Sequence, residues 1–230
     1  MGSVFMMSAV TRFTVVFLLI ILAIVAGRFV VADFYLDRAS DNYNQLDFEK
    51  LRNAKSLESV IHDIDQSLKW RRDNAQALDL KATLLYQQWW LSPDAQFFSE
   101  SKLLRDAEKY HLDALKLRHD WSFTLAQLAL IHSNKEALDN DFSHWFSKAY
   151  EFGRYETVIA RTLMEVGLRF WSQLNQSQKE MTLEFVRISI EIKSNSSQAM
   201  KVLLTQYGQL AFICSQTKPT ERQRQVCGDE

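Results

Sequence analysis

The sequence contains little glycine and proline, with six glycines and two prolines in 230 residues. Tight turns between strands normally need both residue types, so an all-β fold of this length is disfavoured. Apolar residues make up 47% of the chain, which is enough for a hydrophobic core and disfavours extended disorder. The composition therefore predicts an all-α protein.

A strong excess of charge of one sign is also absent, because the formal net charge is −1. Proteins that bind nucleic acid usually carry a basic patch or stripe, and none is apparent here. The notable cationic pair is Arg222 with Arg224, and it follows directly on Glu221. We predict that residues 216–230 form a solvated C-terminal tail and that nucleic acid is not a partner.

Cysteine is scarce, and both copies, Cys214 and Cys227, lie near the C-terminus. The polar segment between them, SQTKPTERQRQV, predicts a loop. In an oxidising compartment the two thiols are expected to form a disulfide that joins the tail to the last helix, whereas in a reducing cytosol they stay free. No histidine or further cysteine lies near enough in sequence to complete a tetrahedral metal site, so we expect no metal.

One long apolar segment stands out near the N-terminus. Residues 13–27 carry no charge, and the apolar run continues after Arg28 as far as Ala32. These 20 residues would form a helix about 30 Å long, which matches the hydrocarbon thickness of a bilayer. We predict a transmembrane anchor over residues 10–32. A cleaved signal peptide, with Val30 and Ala32 before the cut, is the alternative, and a buried soluble helix is disfavoured because the segment has no polar face.

The orientation of this segment is weakly marked by charge. Arg12 and the short N-terminal segment favour a cytoplasmic N-terminus, whereas Arg28 and Arg38 favour the opposite orientation. We expect the large C-terminal part to lie outside the cytoplasm. Residues 33–55 predict a juxtamembrane linker or helix.

Helical periodicity dominates residues 56–215. The spacing matches a degenerate tetratricopeptide pattern, in which 34-residue helical hairpins carry small and aromatic residues on the second helix. The second-helix positions are Ile61, Asp65 and Leu68, then Ala107, His111 and Ala114, then Phe142, Phe146 and Ala149. The pattern places turns at Asp73, His119 and Arg154. We predict a tetratricopeptide-like solenoid, with a plain multi-helix bundle as the alternative.

The later part of the chain predicts further helices over residues 176–193 and 197–214, with a turn at Asn195-Ser196. The segment from Trp89 to Glu100 predicts a helix end followed by a loop. Aromatic residues between Trp145 and Tyr155, together with Trp70, Trp121 and Trp171, are expected to fill the space between helices. Gly153 is expected to end its helix in the left-handed conformation.

Motifs that carry chemistry are absent from the sequence. The five histidines form no metal-binding pair, and neither a nucleophile motif nor a glycine-rich phosphate loop occurs. His111 and His132 fall on predicted core positions. The carboxylates, such as Asp106 and Glu108 beside Lys109, have the spacing of a solvated helix face. We therefore expect no catalytic residue and no cofactor.

A solenoid would instead offer a concave surface lined by the first helix of each hairpin. That register predicts a groove for a helical or extended peptide segment. The groove residues are Leu84, Gln87, Phe123, Leu130, Ser133, Arg161 and Glu165. Alternatively, the same side chains bury against the juxtamembrane segment.

Two stretches, KAYEFGRYE at 148–156 and GLRFWSQL at 167–174, are motif-like. Together with the anchor and the helical body, they resemble VpsP-like proteins of bacterial exopolysaccharide-biosynthesis loci, although Arg154 stands where a proline is expected. The resemblance implies a single-pass inner-membrane protein with a periplasmic body that acts beside polysaccharide polymerase, export or assembly proteins. We therefore expect a non-catalytic scaffold. The alternatives are a glycan-active enzyme that uses Glu165 as an acid, and a ligand-binding sensory domain.

Overall fold

The computed structural model describes residues 9–46, 54–92, 101–135, 138–191, 197–215 and 220–228. These residues form helices and contain no strand, which confirms the predicted all-α class. The chain divides into two compact units, Met1–Leu84 and Leu85–Glu230. The predicted turn at Asn195-Ser196 and most of the predicted loop before Glu100 lie outside the described residues.

The first unit begins with the longest helix, α1 (Ala9–Asn44). Its apolar side chains are exposed from Phe13 to Val30, and the helix is long and apolar enough to cross a membrane. Burial begins at Ala32 and continues at Leu36 and Ala39. Because α1 runs without a break through residues 33–44, the first half of the predicted juxtamembrane segment is a helix rather than a linker.

Helix α2 (Ala54–Trp70) packs antiparallel to the second half of α1. The direction follows from the contacts, since Arg38 pairs with Asp63 whereas Arg28 Nη2 donates to the carbonyl oxygen of Trp70, 3.2 Å away. The two helices share a core with the first part of α3 (Ala75–Leu91). The buried members of this core are Leu36, Ala39, Leu57, Val60, Ile64, Ala77 and Leu84.

The second unit continues with α4 (Lys102–Leu117), α5 (Ser122–Asn134), α6 (Asn140–Gly153) and α7 (Thr157–Arg169). Helices α5 and α6 pack against each other as a hairpin. Each turn that the sequence predicts, at Asp73, His119 and Arg154, lies between consecutive helices. The alternation of small and aromatic residues therefore located the helix ends correctly.

Two glycines permit close helix packing in this unit. A Cβ atom on Gly153 would lie 2.5 Å from Ser122 Cβ, and one on Gly167 would lie 2.1 Å from Thr182 Oγ1. Gly153 does not have a positive φ, so the predicted left-handed helix end is wrong. Gly153 instead lets the end of α6 approach the start of α5, where any side chain would overlap Ser122.

The aromatic residues divide into two groups. Phe142 and Phe146 are fully buried, and the ring centroid of Phe146 lies 5.5 Å from that of Phe142 and 6.2 Å from that of Phe185. By contrast, Trp70, Trp121 and Tyr155 are 39%, 45% and 75% exposed. The prediction that these three fill the core is wrong, because each lies at or just beyond a helix end, where solvent reaches the ring.

The chain ends in four helices, α8 (Gln176–Glu191), α9 (Ser197–Gln206), α10 (Leu210–Cys214) and α11 (Glu221–Cys227). The predicted helix over 197–214 is interrupted, because Gly208 has a φ of 68° and separates α9 from α10. Within the predicted solvated tail, the described residues 221–227 form a helix instead of a loop. This helix, α11, begins with a capping box between Thr220 and Gln223, and Val226 is buried in the core.

Cys214 ends α10 and Cys227 ends α11, and their Cα atoms lie 5.7 Å apart. This separation is within the range of a disulfide. The structure thus supports the predicted cysteine pairing, although the pair joins two helices rather than a helix and a loop.

Candidate binding groove

A cavity of about 240 Å³ lies between α3, α5 and α7, and we call it the binding groove. Each helix contributes two or more side chains to its lining. The lining residues are Tyr86, Trp90, Leu130, Ser133, Thr162, Glu165, Val166 and Arg169. All of them belong to the second unit.

Asn134 fixes the three helices around the groove. Its Nδ2 donates to the hydroxyl oxygen of Tyr86 on α3 at 3.1 Å, and its Oδ1 accepts from Arg169 Nη1 on α7 at 3.0 Å. Asn134 Nδ2 also donates to the carbonyl oxygen of Leu130 on its own helix at 2.8 Å. Because Asn134 is largely buried, loss of these bonds would leave polar groups without a solvent partner.

The groove has an apolar side and a charged side. Trp90 is 51% exposed and, with Leu130 and Val166, offers apolar surface to a ligand. Glu165 and Arg169 are exposed one helical turn apart on α7 and supply charges of both signs. Apolar side chains and charges of both signs therefore line the same cavity.

Tyr86 contributes a neutral polar group to the groove. Burial raises the pKa of Tyr86 well above its ordinary value, and the negative charge of Glu165 also raises it, although the Asn134 hydrogen bond and the Arg169 charge act in the opposite direction. The hydroxyl therefore remains protonated at neutral pH and acts as a hydrogen-bonding group rather than as a base.

The structure brings together three of the seven predicted groove residues, namely Leu130, Ser133 and Glu165. Leu84 is fully buried in the core of the first unit, and Phe123 packs against the main core of the second. Arg161 is exposed on α7, and Gln87 is half-buried on α3. The rest of the lining consists of Tyr86, Trp90, Thr162, Val166 and Arg169, which the predicted groove did not include.

A second polar cluster connects α4 and α5. Glu108 Oε1 lies 2.8 Å from His132 Nε2, and the other Glu108 oxygen accepts from Lys135 Nζ. His132 Nδ1 lies 3.4 Å from Asp139 Oδ1. The prediction that Glu108 lies on a solvated face is wrong, because α5 covers it, with His132 and Lys135 in contact with its two carboxylate oxygens.

The electrostatics of this cluster follow from those contacts. The hydrogen bond with His132 lowers the pKa of Glu108 to about 2, and Lys135 lowers it further, against the effect of burial. The same hydrogen bond raises the pKa of His132, with Asp139 adding to the effect. The cluster thus joins α4 to α5 and stabilises their packing.

Among the described residues, no group of three or more His, Cys, Asp or Glu side chains is arranged to hold a metal ion. No protein-family model matches the chain, and no curated protein matches it.

Proposed function

We propose that the chain is a non-catalytic, membrane-anchored interaction protein with a degenerate tetratricopeptide-like body. The observation that carries this proposal is the origin of the groove lining. It comes from α3, α5 and α7, which are the first helices of three successive hairpins in the sequence register. In helical solenoids the first helices line the concave surface, and partners bind there.

The anchor in this proposal is α1, which crosses the inner membrane once. Its apolar side chains are exposed over a length that matches the hydrocarbon core, and Arg12 precedes them. The body lies in the periplasm. The geometry of Cys214 and Cys227 supports this location, because disulfides persist in oxidising compartments.

The partner in this proposal is an inner-membrane protein of exopolysaccharide assembly, which presents a helical or extended segment to the groove. Apolar side chains of the segment contact Trp90 and Leu130, and charged side chains pair with Glu165 and Arg169. Glycoside hydrolysis generally needs two carboxylates on opposite sides of the bond. Glu165 is the one carboxylate among the described residues that line the groove, which favours binding over glycan cleavage.

Site-specific photocrosslinking in cells that make the polysaccharide tests the proposal. A photoreactive residue at Thr162, which lines the groove, is expected to crosslink to a polysaccharide-assembly protein of the inner membrane. The matched control position is Thr157, which is exposed on the same helix outside the groove. Equal crosslinking at both positions, or none at Thr162, would contradict the proposal.

Charge reversal gives a second measurement on the same complex. Glu165→Lys is expected to reduce the crosslinking yield at Thr162, whereas Arg161→Glu, one turn earlier on the exposed face of α7, is the control and should not. Turnover of a glycan by the purified full chain, abolished in Glu165→Gln, would instead support the enzyme alternative.

A further inference from the structure

A second cavity, of about 260 Å³, lies in the first unit where α2 ends against α1. We call it the interface cavity. Its lining comprises Val25, Arg28 and Phe29 from α1, and Trp70, Arg71, Arg72 and Asp73 from the end of α2 and the turn that follows. Three arginines against one aspartate make this lining cationic.

The position of the interface cavity along α1 is defined by the antiparallel packing of α2. Arg28 Nη2 donates to the carbonyl oxygen of Trp70, so the end of α2 lies beside residues 28 and 29. The exposed apolar run of α1 ends at Val30. If α1 spans the membrane, the cavity therefore lies at the boundary between hydrocarbon and headgroups. Trp70, which is 39% exposed, is a residue type enriched at that depth.

Arg71 is oriented by its neighbours within this cavity. Its guanidinium carbon lies 4.8 Å from the centroid of the Phe29 ring, and Nη1 lies 3.9 Å from Asp33 Oδ1. Arg71 Nε is inaccessible to solvent and donates to no acceptor in the described part of the chain, although Asp73 Oδ1 is 3.6 Å away. Since Nε is inaccessible, an added acceptor would have to bind the terminal nitrogens of the guanidinium.

The lining combines two kinds of chemistry. Val25 and Phe29 belong to the apolar run of α1, whereas Arg28, Arg71 and Arg72 supply guanidinium groups to the same cavity. Guanidinium groups bind phosphate oxygens through paired N–H donors. A phosphate group with an acyl chain attached satisfies both parts of the lining, whereas a free phosphate ion satisfies only the cationic part.

We infer that the interface cavity binds the phosphate headgroup of an anionic membrane lipid. This inference rests on the proposed membrane anchor and extends it, because it gives the end of α2 a specific lipid contact. The cavity volume lies just below the range of ~300–1,000 Å³ that is typical of small-molecule pockets. It therefore takes a headgroup, and the acyl chains lie outside along α1.

Native mass spectrometry of the full chain in detergent tests the inference. Phosphatidylglycerol and phosphatidylcholine are added in parallel titrations. The wild-type chain is expected to retain one phosphatidylglycerol more tightly than phosphatidylcholine. Arg71→Gln and Arg72→Gln are each expected to weaken phosphatidylglycerol binding about fivefold, the effect of losing one cation near a lipid surface.

Two further variants separate lipid recognition from folding and from charge in general. Arg71→Lys keeps the charge and removes the planar set of N–H donors. It should therefore restore less than half of the preference for phosphatidylglycerol that Arg71→Gln loses. Arg118→Gln is the matched control, because Arg118 also lies over an aromatic ring, 4.9 Å from the centroid of Trp121, but in the other unit. The control should bind phosphatidylglycerol as the wild type does. Because Arg72 is exposed, Arg72→Gln should retain the wild-type fold.

Equal retention of the two lipids, or retention unaffected by Arg71→Gln and Arg72→Gln, would overturn the inference. Inorganic phosphate that binds as tightly as phosphatidylglycerol would identify a free-phosphate site and would also overturn the inference, because the acyl chains would then contribute nothing. Alkaline carbonate extraction of membranes that contain the chain tests the anchor separately. A chain that stays in the membrane without lipid preference refutes only the inference, whereas a chain that is extracted refutes the anchor as well.

Discussion

Glu108 on α4 and His132 on α5 form an ion pair within the second unit, with Oε1 and Nε2 2.8 Å apart. The two residues belong to consecutive helices and lie on the faces that meet. Lys135 also pairs with Glu108, and Asp139 lies beside the other ring nitrogen of His132. The stability of the fold should depend on pH through this contact, because the pKa values of both Glu108 and His132 are shifted.

We predict that stability depends on pH through this pair. Because the pKa of His132 is raised in the folded state, its contribution to the free energy of unfolding is complete below about pH 6.5. That contribution is lost as pH rises through the folded-state pKa. Because the pKa of Glu108 is lowered in the folded state, its contribution to the free energy of unfolding is present above pH 4.5 and is lost as pH falls toward about 2. The free energy of unfolding, measured by urea denaturation of the full chain in detergent, should therefore fall as pH rises above about 6.5.

The fall in the free energy of unfolding should be on the order of 1 kcal/mol, as expected for a hydrogen bond to a charged group. The variant His132→Gln should remove most of this pH dependence. His119→Gln is the control, because His119 is exposed in the turn between α4 and α5. A wild-type chain whose stability does not change between pH 6 and pH 8 would contradict this role of the pair.

We predict that Gly167→Ala destabilises the second unit by about 1–3 kcal/mol, because the new methyl group overlaps Thr182. Alanine has a higher helix propensity than glycine by about 1 kcal/mol, so a net loss would show that packing dominates. Thermal unfolding followed by circular dichroism measures the change. Gly27→Ala is the control, because nothing lies within 4 Å of the Cβ position there.

The double variant Gly167→Ala with Thr182→Ala tests the physical cause. Removing Thr182 Oγ1 and Cγ2 eliminates the two closest contacts, so the double variant should lose less stability than the sum of the single changes. Strict additivity would show that the close approach of α7 and α8 is not responsible.

We predict that the aromatic residues of the second unit have separate roles that follow their burial. Phe146→Ala should cost about 3–5 kcal/mol, since the ring is fully buried in the main core. Tyr155→Ala should change the free energy of unfolding by about 0.5 kcal/mol or less, because the ring is 75% exposed. Urea denaturation of the two variants side by side measures both values, and similar losses would contradict the assignment of Phe146 to the core.

We predict that reduction of the cysteine pair destabilises the C-terminal helices. Closing a loop of this length stabilises a fold by about 3 kcal/mol in the chain-entropy model. Dithiothreitol should therefore lower the melting temperature of the wild-type chain and leave the Cys214→Ser, Cys227→Ser double variant unchanged. Rapid maleimide labelling of both thiols in the untreated protein would show that no disulfide forms.

The sequence by itself determined the helical class, the long apolar helix and the three turns at Asp73, His119 and Arg154. These features depend on local composition and on the period of apolar residues, which a single stretch of chain contains. The pairing of Cys214 with Cys227 was also predictable, because the sequence contains only these two cysteines.

Only the tertiary structure decided which side chains meet. Periodicity places Glu165 on a face of α7, but only packing brings Leu130 and Ser133 from α5, and Tyr86 and Trp90 from α3, to the same cavity. Likewise, the sequence shows that Gly153 lies at a helix end, but only the structure shows why glycine is needed there. A Cβ atom at this position would lie 2.5 Å from Ser122 Cβ. Such contacts join residues that are distant in sequence, so no local pattern encodes them.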